Sequence, residues 1–162
     1  MSDERKMKFA QSTYATVCKM FDAQGWHYDR HDDDLVIHAT MRGDDLPIEF
    51  LVIVDADRQL VSFISPMPFE VNEDKRMDMA IAVTVANYGL ADGSFDYNLA
   101  DGSIRFRMTS SFRESILGAE LFEYMVFVAC KTVDVYNDKF LMLAKGMMDI
   151  EKFIEMEMSD NE

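Results

Sequence analysis

Apolar residues recur at steps of three and four in three stretches of the chain, which is the period of a helix with one buried face. The first stretch predicts a helix over residues 4–23, and Gly25 is expected to end it. The second predicts a helix over about 73–89, which Asn72 caps and Gly89 ends. Its predicted inner stripe consists of Met77, Ile81, Thr84 and Tyr88. The third predicts a long helix over about 118–145, followed by a shorter segment over about 148–157.

Alternating and apolar runs predict the strands. Four are expected between the first two helices, near 26–31, 34–41, 47–55 and 58–66, with Pro66 and Pro68 ending the last. A further hairpin over 94–99 and 103–109 is predicted from a two-residue Asp101-Gly102 turn, which would pair Tyr97 with Phe106. Helix, four strands, helix, hairpin and helix in this order predict an α+β fold. We expect one domain over residues 1–162, with an antiparallel sheet and helices packed against it.

Two segments carry more apolar surface than a half-exposed element needs. With a two-residue turn at Ala56-Asp57, the hairpin LVIVDADRQLVSFIS is apolar on both faces, whereas an antiparallel sheet with one wet face alternates. The run YMVFVAC, residues 124–130, has no polar side, and such a helix is expected to be buried all round. We therefore predict a partner or dimer interface. Its candidate residues are Leu51, Ile53, Leu60, Ile64, Phe122, Met125, Val126, Ala129 and Val133.

The overall charge restricts the class of partner. The chain of 162 residues has a net charge of −14, which repels nucleic acid and anionic lipid. No run of about 18 apolar residues is present, so no membrane span is expected. The N-terminus MSDERKMKFAQS lacks an apolar signal core, which predicts a cytoplasmic protein. The ordered core is expected over about 5–155, with residues 156–162 forming a frayed acidic tail.

The stretch HYDRHDDD, residues 27–34, looks most like a metal site. A tight turn at Asp32-Asp33 would place His27 opposite His38 with Asp29 beside them, and two histidines with a carboxylate can ligate zinc or iron. An exposed polar strand face followed by an acidic turn accounts for the same residues. We favour this second interpretation and expect no metal and no cofactor.

The stretch LVIVDADRQ resembles the nucleophile loop of haloacid-dehalogenase-type phosphatases, in which Asp55 would attack phosphorus and Asp57 would act as acid and base. Gln59 stands where that family has threonine or valine, and a strand follows where it has a crossover to a helix. An aspartate-rich hairpin turn is the favoured interpretation, so no catalytic residue is expected. The alternative is a metal-dependent or aspartate-dependent hydrolase that uses His27, Asp29 and His38, or Asp55 and Asp57.

The order of elements, together with IEFLVIVDADRQLVSFIS, FDYNLADGSIRFRMTSSF and ELFEYMVFVACKTVDVY, resembles the YbjN family over roughly residues 5–155. That family is commonly described as a sensory transduction regulator, and its fold resembles that of type III secretion chaperones. Such chaperones are small, acidic and dimeric, and bind an extended segment of a partner. The resemblance and the surplus apolar surface together predict a non-enzymatic regulatory or chaperone-like protein. We expect it to be a homodimer that binds a segment of another protein.

Overall fold

A computed structural model describes residues 2–159, which fold into four α-helices and one six-stranded antiparallel sheet. The helices are α1 (Asp3–Gln24), α2 (Arg76–Tyr88), α3 (Ala119–Ala144) and α4 (Ile150–Ser159), and a 3-10 turn, Glu73–Lys75, precedes α2. The strands are β1 (Asp29–His31), β2 (Val36–Met41), β3 (Ile48–Asp55), β4 (Leu60–Glu70), β5 (Ser94–Tyr97) and β6 (Ser103–Ser111). Their spatial order is β1-β2-β3-β4-β6-β5. The predicted α+β class with an antiparallel sheet is confirmed.

The first helix has the predicted end. Gly25 adopts a left-handed conformation with φ 68°, and its N–H donates to the carbonyl of Asp22. At the other end, the Ser2 hydroxyl accepts a hydrogen bond from the Arg5 amide, which satisfies one free donor of the first turn. The buried side of α1, which includes Val17 and Phe21, packs on the sheet and on α3.

The helices cover one face of the sheet. Along β3 and the first half of β4 every second side chain is at most 3% exposed; among these are Phe50, Val52, Val54, Val61 and Phe63. The intervening side chains of the same strands are partly exposed because they point to the opposite face. Within residues 2–159, therefore, the predicted cover is present on one face of this hairpin and absent from the other.

Each of the three tight hairpins has a four-residue loop where two residues were predicted. The loops span residues 32–35, 56–59 and 99–102, so every pairing is displaced by two positions from the predicted one. Tyr97, for example, pairs with Ile104 and not with Phe106. A displacement of two leaves each side chain on its predicted face. The predicted faces are thus correct, and the predicted registers are wrong.

The last residue of each loop explains the longer connection. Leu35, Gln59 and Gly102 all have positive φ, at 54°, 57° and 79°. Their carbonyl groups accept backbone hydrogen bonds from neighbouring segments, from Val54 at 3.1 Å, Phe112 at 3.1 Å and Val71 at 2.9 Å respectively. In each loop the positive φ of the last residue therefore directs its carbonyl group toward an N–H donor in a neighbouring segment.

Pro66 and Pro68 do not end β4, contrary to the prediction. The ladder between β3 and β4 ends at Ile64, before either proline. On that side of β4 the ladder therefore needs no N–H group from Pro66 or Pro68. Pairing with β6 continues through Pro66 and resumes at Glu70 after an irregularity.

Helix α2 is rotated relative to the prediction. Its buried residues are Met79, Ala82, Val83 and Ala86, whereas Tyr88 of the predicted inner stripe is 94% exposed. The Asn87 side chain both donates to the carbonyl of Phe95 and accepts from its N–H, which fixes the rotation of the helix against β5. Asn72 precedes the 3-10 turn and makes no side-chain capping bond.

Helix α4 packs against α3 and α2. The Asp149 side chain caps it by accepting from the Lys152 amide at 2.8 Å. Glu157 is buried and accepts from the Tyr136 hydroxyl at 2.6 Å and from the Lys139 ammonium at 3.1 Å. The helix thus includes the first four residues of the predicted frayed tail, and residues 160–162 lie outside the described residues.

Candidate functional site: the open face of the sheet

The sheet surface opposite the helices carries an apolar strip formed by Leu51, Ile53, Leu60 and Ile64, which are four of the predicted interface residues. We call this surface the open face. Leu51 pairs directly with Ile64, and two residues further along the strands Ile53 pairs with Ser62. Aliphatic side chains on one face contact one another across directly paired positions and along the neighbouring diagonals. The result is a continuous, partly exposed apolar strip on a chain with a net charge of −14.

Basic side chains border this strip on the β6 side. Arg107 pairs with Ile64 in the ladder, and Arg105 pairs with Pro66. Both arginines bind one carboxylate, that of Asp96 on β5. Arg107 donates through Nε at 2.8 Å and Nη2 at 3.1 Å, and Arg105 donates through Nε at 3.0 Å. Two guanidinium groups therefore share a single negative partner.

The charge state of Asp96 follows from these bonds. The hydrogen bonds from Arg107 hold the pKa of the Asp96 carboxyl below its usual range, and those from Arg105 act in the same direction, against the partial burial of the group. The carboxylate is thus ionised at neutral pH, and the cluster of Asp96, Arg105 and Arg107 has an excess of positive charge.

The strip and the arginines meet in one groove of about 400 Å³, which we call the arginine groove. It is lined by Ile53, Asp55, Arg58, Leu60, Ser62, Ile64, Arg105, Arg107 and Thr109. The hydroxyl groups of Ser62 and Thr109 lie 3.1 Å apart and satisfy each other. Arg105 also borders a second groove of about 520 Å³ toward Tyr97 and Asn98. The groove thus has an apolar floor and a cationic rim, and this combination suits an apolar ligand that carries an anionic group.

The other five predicted interface residues lie in the core of the chain. Phe122, Met125, Val126, Ala129 and Val133 of α3 are at most 4% exposed. Phe122 stacks on Phe63 of the covered sheet face, with the ring centroids 6.4 Å apart. These residues are therefore not available on the surface of a single folded chain.

The composition of α3 predicted a helix that is buried all round, and this prediction is wrong. Tyr124 is 48% exposed and Phe127 is 54% exposed, although Phe127 contacts Trp26 edge-to-face. The outer side of α2 carries a second exposed apolar surface. We call it the α2 stripe, and it consists of Met77, Ile81, Thr84 and Tyr88. Met77 is 69% and Ile81 is 46% exposed.

The stretch HYDRHDDD forms the first strand and its turn. Asp29, and not His27, lies opposite His38, so the register that would assemble the predicted metal ligands is not formed. Within residues 2–159 no group of three or more histidine, cysteine or acidic side chains is arranged to hold a metal ion. Asp32 has a structural role, because it accepts from the Tyr14 hydroxyl at 2.8 Å and from Arg30 Nε at 3.0 Å. These bonds lower the pKa of the Asp32 carboxyl and attach the turn to α1.

Asp55 and Asp57 belong to the loop between β3 and β4. Asp55 accepts from the backbone N–H of Arg58 at 2.9 Å, which is the bond of an aspartate turn. β4 follows at once, so the strand-to-helix connection that the phosphatase resemblance requires is not present. Asp55 therefore has the contact of a turn residue, and Asp57 lies in the same turn.

The sequence pattern indicated part of this site. The alternation of apolar residues located the strip. It did not place Arg58, Arg105 and Arg107 in one groove with Ile53 and Leu60. The pairing of β4 with β6, which connects residues about 45 positions apart, is needed for that and leaves no local sequence signal.

Comparison with solved structures defines the class of fold. A chain of the HopA1–SchA chaperone–effector complex matches with a TM-score of 0.58 and 10% identity, over 80% of this chain and 95% of that one. A chain of the ExsC–ExsE complex matches with a TM-score of 0.51 and 12% identity, over 77% of this chain and 90% of that one. The fold is therefore that of the type III secretion chaperones.

The family follows from sequence. Residues 13–142 match the YbjN family, described as "Putative bacterial sensory transduction regulator", and the chain belongs to this family. The crystal structure of YbjN from E. coli, described as a putative transcription regulator, matches with a TM-score of 0.55 and 12% identity, over 75% of this chain and 86% of that one. No curated protein matches the chain in sequence. In the described part of the chain, every helix is too short or too polar to cross a membrane.

Proposed function

We propose that this protein is a non-enzymatic, chaperone-like regulatory protein that binds an apolar segment of a partner protein on the open face of its sheet. The observation that carries the proposal is the strip of Leu51, Ile53, Leu60 and Ile64, which no helix of the described chain covers. Burying such surface is favourable by about 25 cal/mol per Å². The similarity to chains from chaperone–effector complexes supports the same kind of partner.

We further propose that the protein acts as a homodimer joined through the α2 stripe. Two copies that each carry a charge of −14 repel one another, so they must meet where charge is lowest. Residues 79–91 contain no charged residue, and the outer side of this segment includes Ile81 and Tyr88, which are exposed. A twofold dimer would bury the stripe against its own copy.

The segment-binding proposal is tested by selecting random twelve-residue peptides, displayed on phage, on the immobilised protein. The affinity of the best synthetic peptide is then measured by fluorescence anisotropy. We expect the double variant Ile53→Thr/Ile64→Thr to weaken binding about tenfold or more, because apolar contact is lost from the strip while strand propensity is kept. Val135→Thr is the matched control, since Val135 is 47% exposed on α3, away from the strip. Failure to enrich any peptide, or equal affinity for all three proteins, would refute the proposal.

The dimer is tested by light scattering at micromolar concentration. The monomer mass is 18.7 kDa, and we expect twice this value for the wild type and the monomer value for Ile81→Glu. Ile116→Glu is the control, because Ile116 is 88% exposed outside the α2 stripe and should leave the dimer intact. A wild type of monomer mass would contradict the proposal.

A further inference from the structure

We infer that the partner segment carries one acidic side chain, which Arg105 binds in the arginine groove while neighbouring apolar side chains of the segment cover Leu60 and Ile64. This inference rests on the proposed function and specifies the chemistry of the partner. Three properties support the inference: the groove has unused hydrogen-bond donors, its local charge is positive, and the acidic character of the chain limits how many acidic residues the segment can carry.

Among residues 2–159, Arg105 uses only its Nε, for Asp96, and neither of its terminal amino groups makes a hydrogen bond. Its side chain is 51% exposed and borders both grooves. The outward edge of such a guanidinium group presents two parallel N–H donors, and a carboxylate is the group that matches them. Arg107 instead donates to Asp96 through both Nε and Nη2, and these two bonds do not depend on Arg105.

The local charge favours an anion. Arg58, Arg105 and Arg107 line the arginine groove, and the carboxylates that form ion pairs with them are those of Asp55 and Asp96. The three cations therefore exceed their two partners, on a protein that is otherwise strongly acidic. Because exposed charges are screened beyond about 8 Å at physiological salt, a group seated in the groove responds mainly to these neighbours.

The same balance limits the anion to one charge. A segment with several acidic residues would place the others outside the groove, where most charged neighbours are acidic, since the chain has 30 acidic and 16 basic residues. A nucleic acid would bring a regular series of phosphates with no apolar group for the strip. The partner expected from the groove is thus a mostly apolar protein segment with a single aspartate or glutamate.

The test uses the peptides selected on the wild-type protein. We expect most of them to contain one acidic residue among apolar ones. In the best peptide, replacing this residue by its amide should weaken binding about three- to tenfold, as for a partly exposed charged pair. Adding three glutamates at the end of the peptide should also weaken binding, since they fall outside the groove.

The decisive measurement is a double-mutant cycle with Arg105→Gln. This variant should weaken binding of the acidic peptide about three- to tenfold and leave binding of the amide peptide unchanged. It should remain folded, because Arg107 still binds Asp96. Arg42→Gln is the matched control, since it makes the same change of charge at an exposed residue outside the groove, and it should alter neither affinity.

The outcomes separate this inference from the proposed function. Peptides that depend on Ile53 and Ile64 but show no acidic preference and no coupling to Arg105 would overturn the inference and leave the proposed function standing. Displacement of the acidic peptide by double-stranded DNA would also overturn it. If no peptide is enriched, both the inference and the proposed function are refuted.

Discussion

Replacing Gly102 by alanine should destabilise the fold more than the same replacement at Gly25 or Gly118. Gly102 ends the loop between β5 and β6 with φ 79°, a conformation that residues with a Cβ adopt only at a cost. A Cβ at this position would lie 2.3 Å from the carbonyl oxygen of Val71 and 2.9 Å from its nitrogen. Both atoms belong to the backbone, so the chain itself must move.

The size of the effect has two contributions. The left-handed conformation costs an alanine about 1–2 kcal/mol. Moving Val71 away also weakens the backbone hydrogen bond from its N–H to the Gly102 carbonyl, which is 2.9 Å long, and such a bond contributes about 0.5–1.5 kcal/mol. We therefore expect a loss of about 2–4 kcal/mol in the free energy of unfolding.

Two other glycines separate these contributions. Gly25 has φ 68° and no atom within 4 Å of the place that an added Cβ would occupy, so Gly25→Ala should show only the conformational contribution, about 1–2 kcal/mol. Gly118 has φ −83° and equally open surroundings, so Gly118→Ala should change stability by less than about 0.5 kcal/mol.

Urea denaturation followed by circular dichroism measures all three variants. With a slope of about 2 kcal/mol per molar urea, a loss of about 3 kcal/mol lowers the midpoint by about 1.5 M. The slopes of the variants should equal that of the wild type. If Gly102→Ala is no less stable than Gly25→Ala, the close approach of Val71 does not restrict this loop and the reasoning is refuted.

Four further predictions concern the core, the charge cluster, the histidines and the dimer. Val126→Asp should abolish folding, because Val126 is 2% exposed in the core. Ile53→Asp, on the open face, should leave the circular dichroism spectrum native. Equal spectra for the two variants would contradict the assignment of faces. Asp96→Asn should destabilise the protein by about 1–2 kcal/mol at pH 7. Because the folded pKa of Asp96 is lowered, its contribution is present above the unfolded value of about 3.9 and is lost as the pH falls through the folded value. The difference in urea midpoint should therefore shrink as the pH falls below about 3.9, and a constant difference would argue against the ion pair. His27→Ala and His38→Ala should leave the metal content of the purified protein unchanged, and loss of a bound metal in either would revive the metal site. Raising the salt concentration should not dissociate the proposed dimer, because its contacts are apolar; a fall to monomer mass in about 1 M salt would indicate ionic contacts instead.

The sequence alone determined which side chains share a face of the sheet. Alternation in β3 and β4 separated Phe50, Val52 and Phe63 from Leu51 and Ile53, and the structure keeps this separation. The reason is that the period of a strand is two residues, so an even displacement of the register leaves every face unchanged. The ends of α1, including its Gly25 cap, follow local rules in the same way.

The registers of the three hairpins were decided by tertiary contacts. An Asp-Gly pair suits a two-residue turn, yet the loop that contains it has four residues, because the Gly102 carbonyl accepts a hydrogen bond from the N–H of Val71, which directly follows β4. Leu35 and Gln59 take the same role toward Val54 and Phe112, although neither is a glycine. No local pattern announces a hydrogen bond to a segment that is distant in sequence.

Tertiary structure also decided which apolar surfaces stay open. From the sequence, the large apolar side chains of α2 are predicted to be core residues. Close packing of α2 on β5 and α3 instead places the small Ala82 and Ala86 inside and leaves Ile81 outside. In α3 the same requirement buries Val126 and exposes Phe127. Sequence periodicity shows that an element has more apolar surface than it needs, and only the packing of its neighbours determines which part of that surface is left for a partner, because burial is a property of the assembled layers and not of one element.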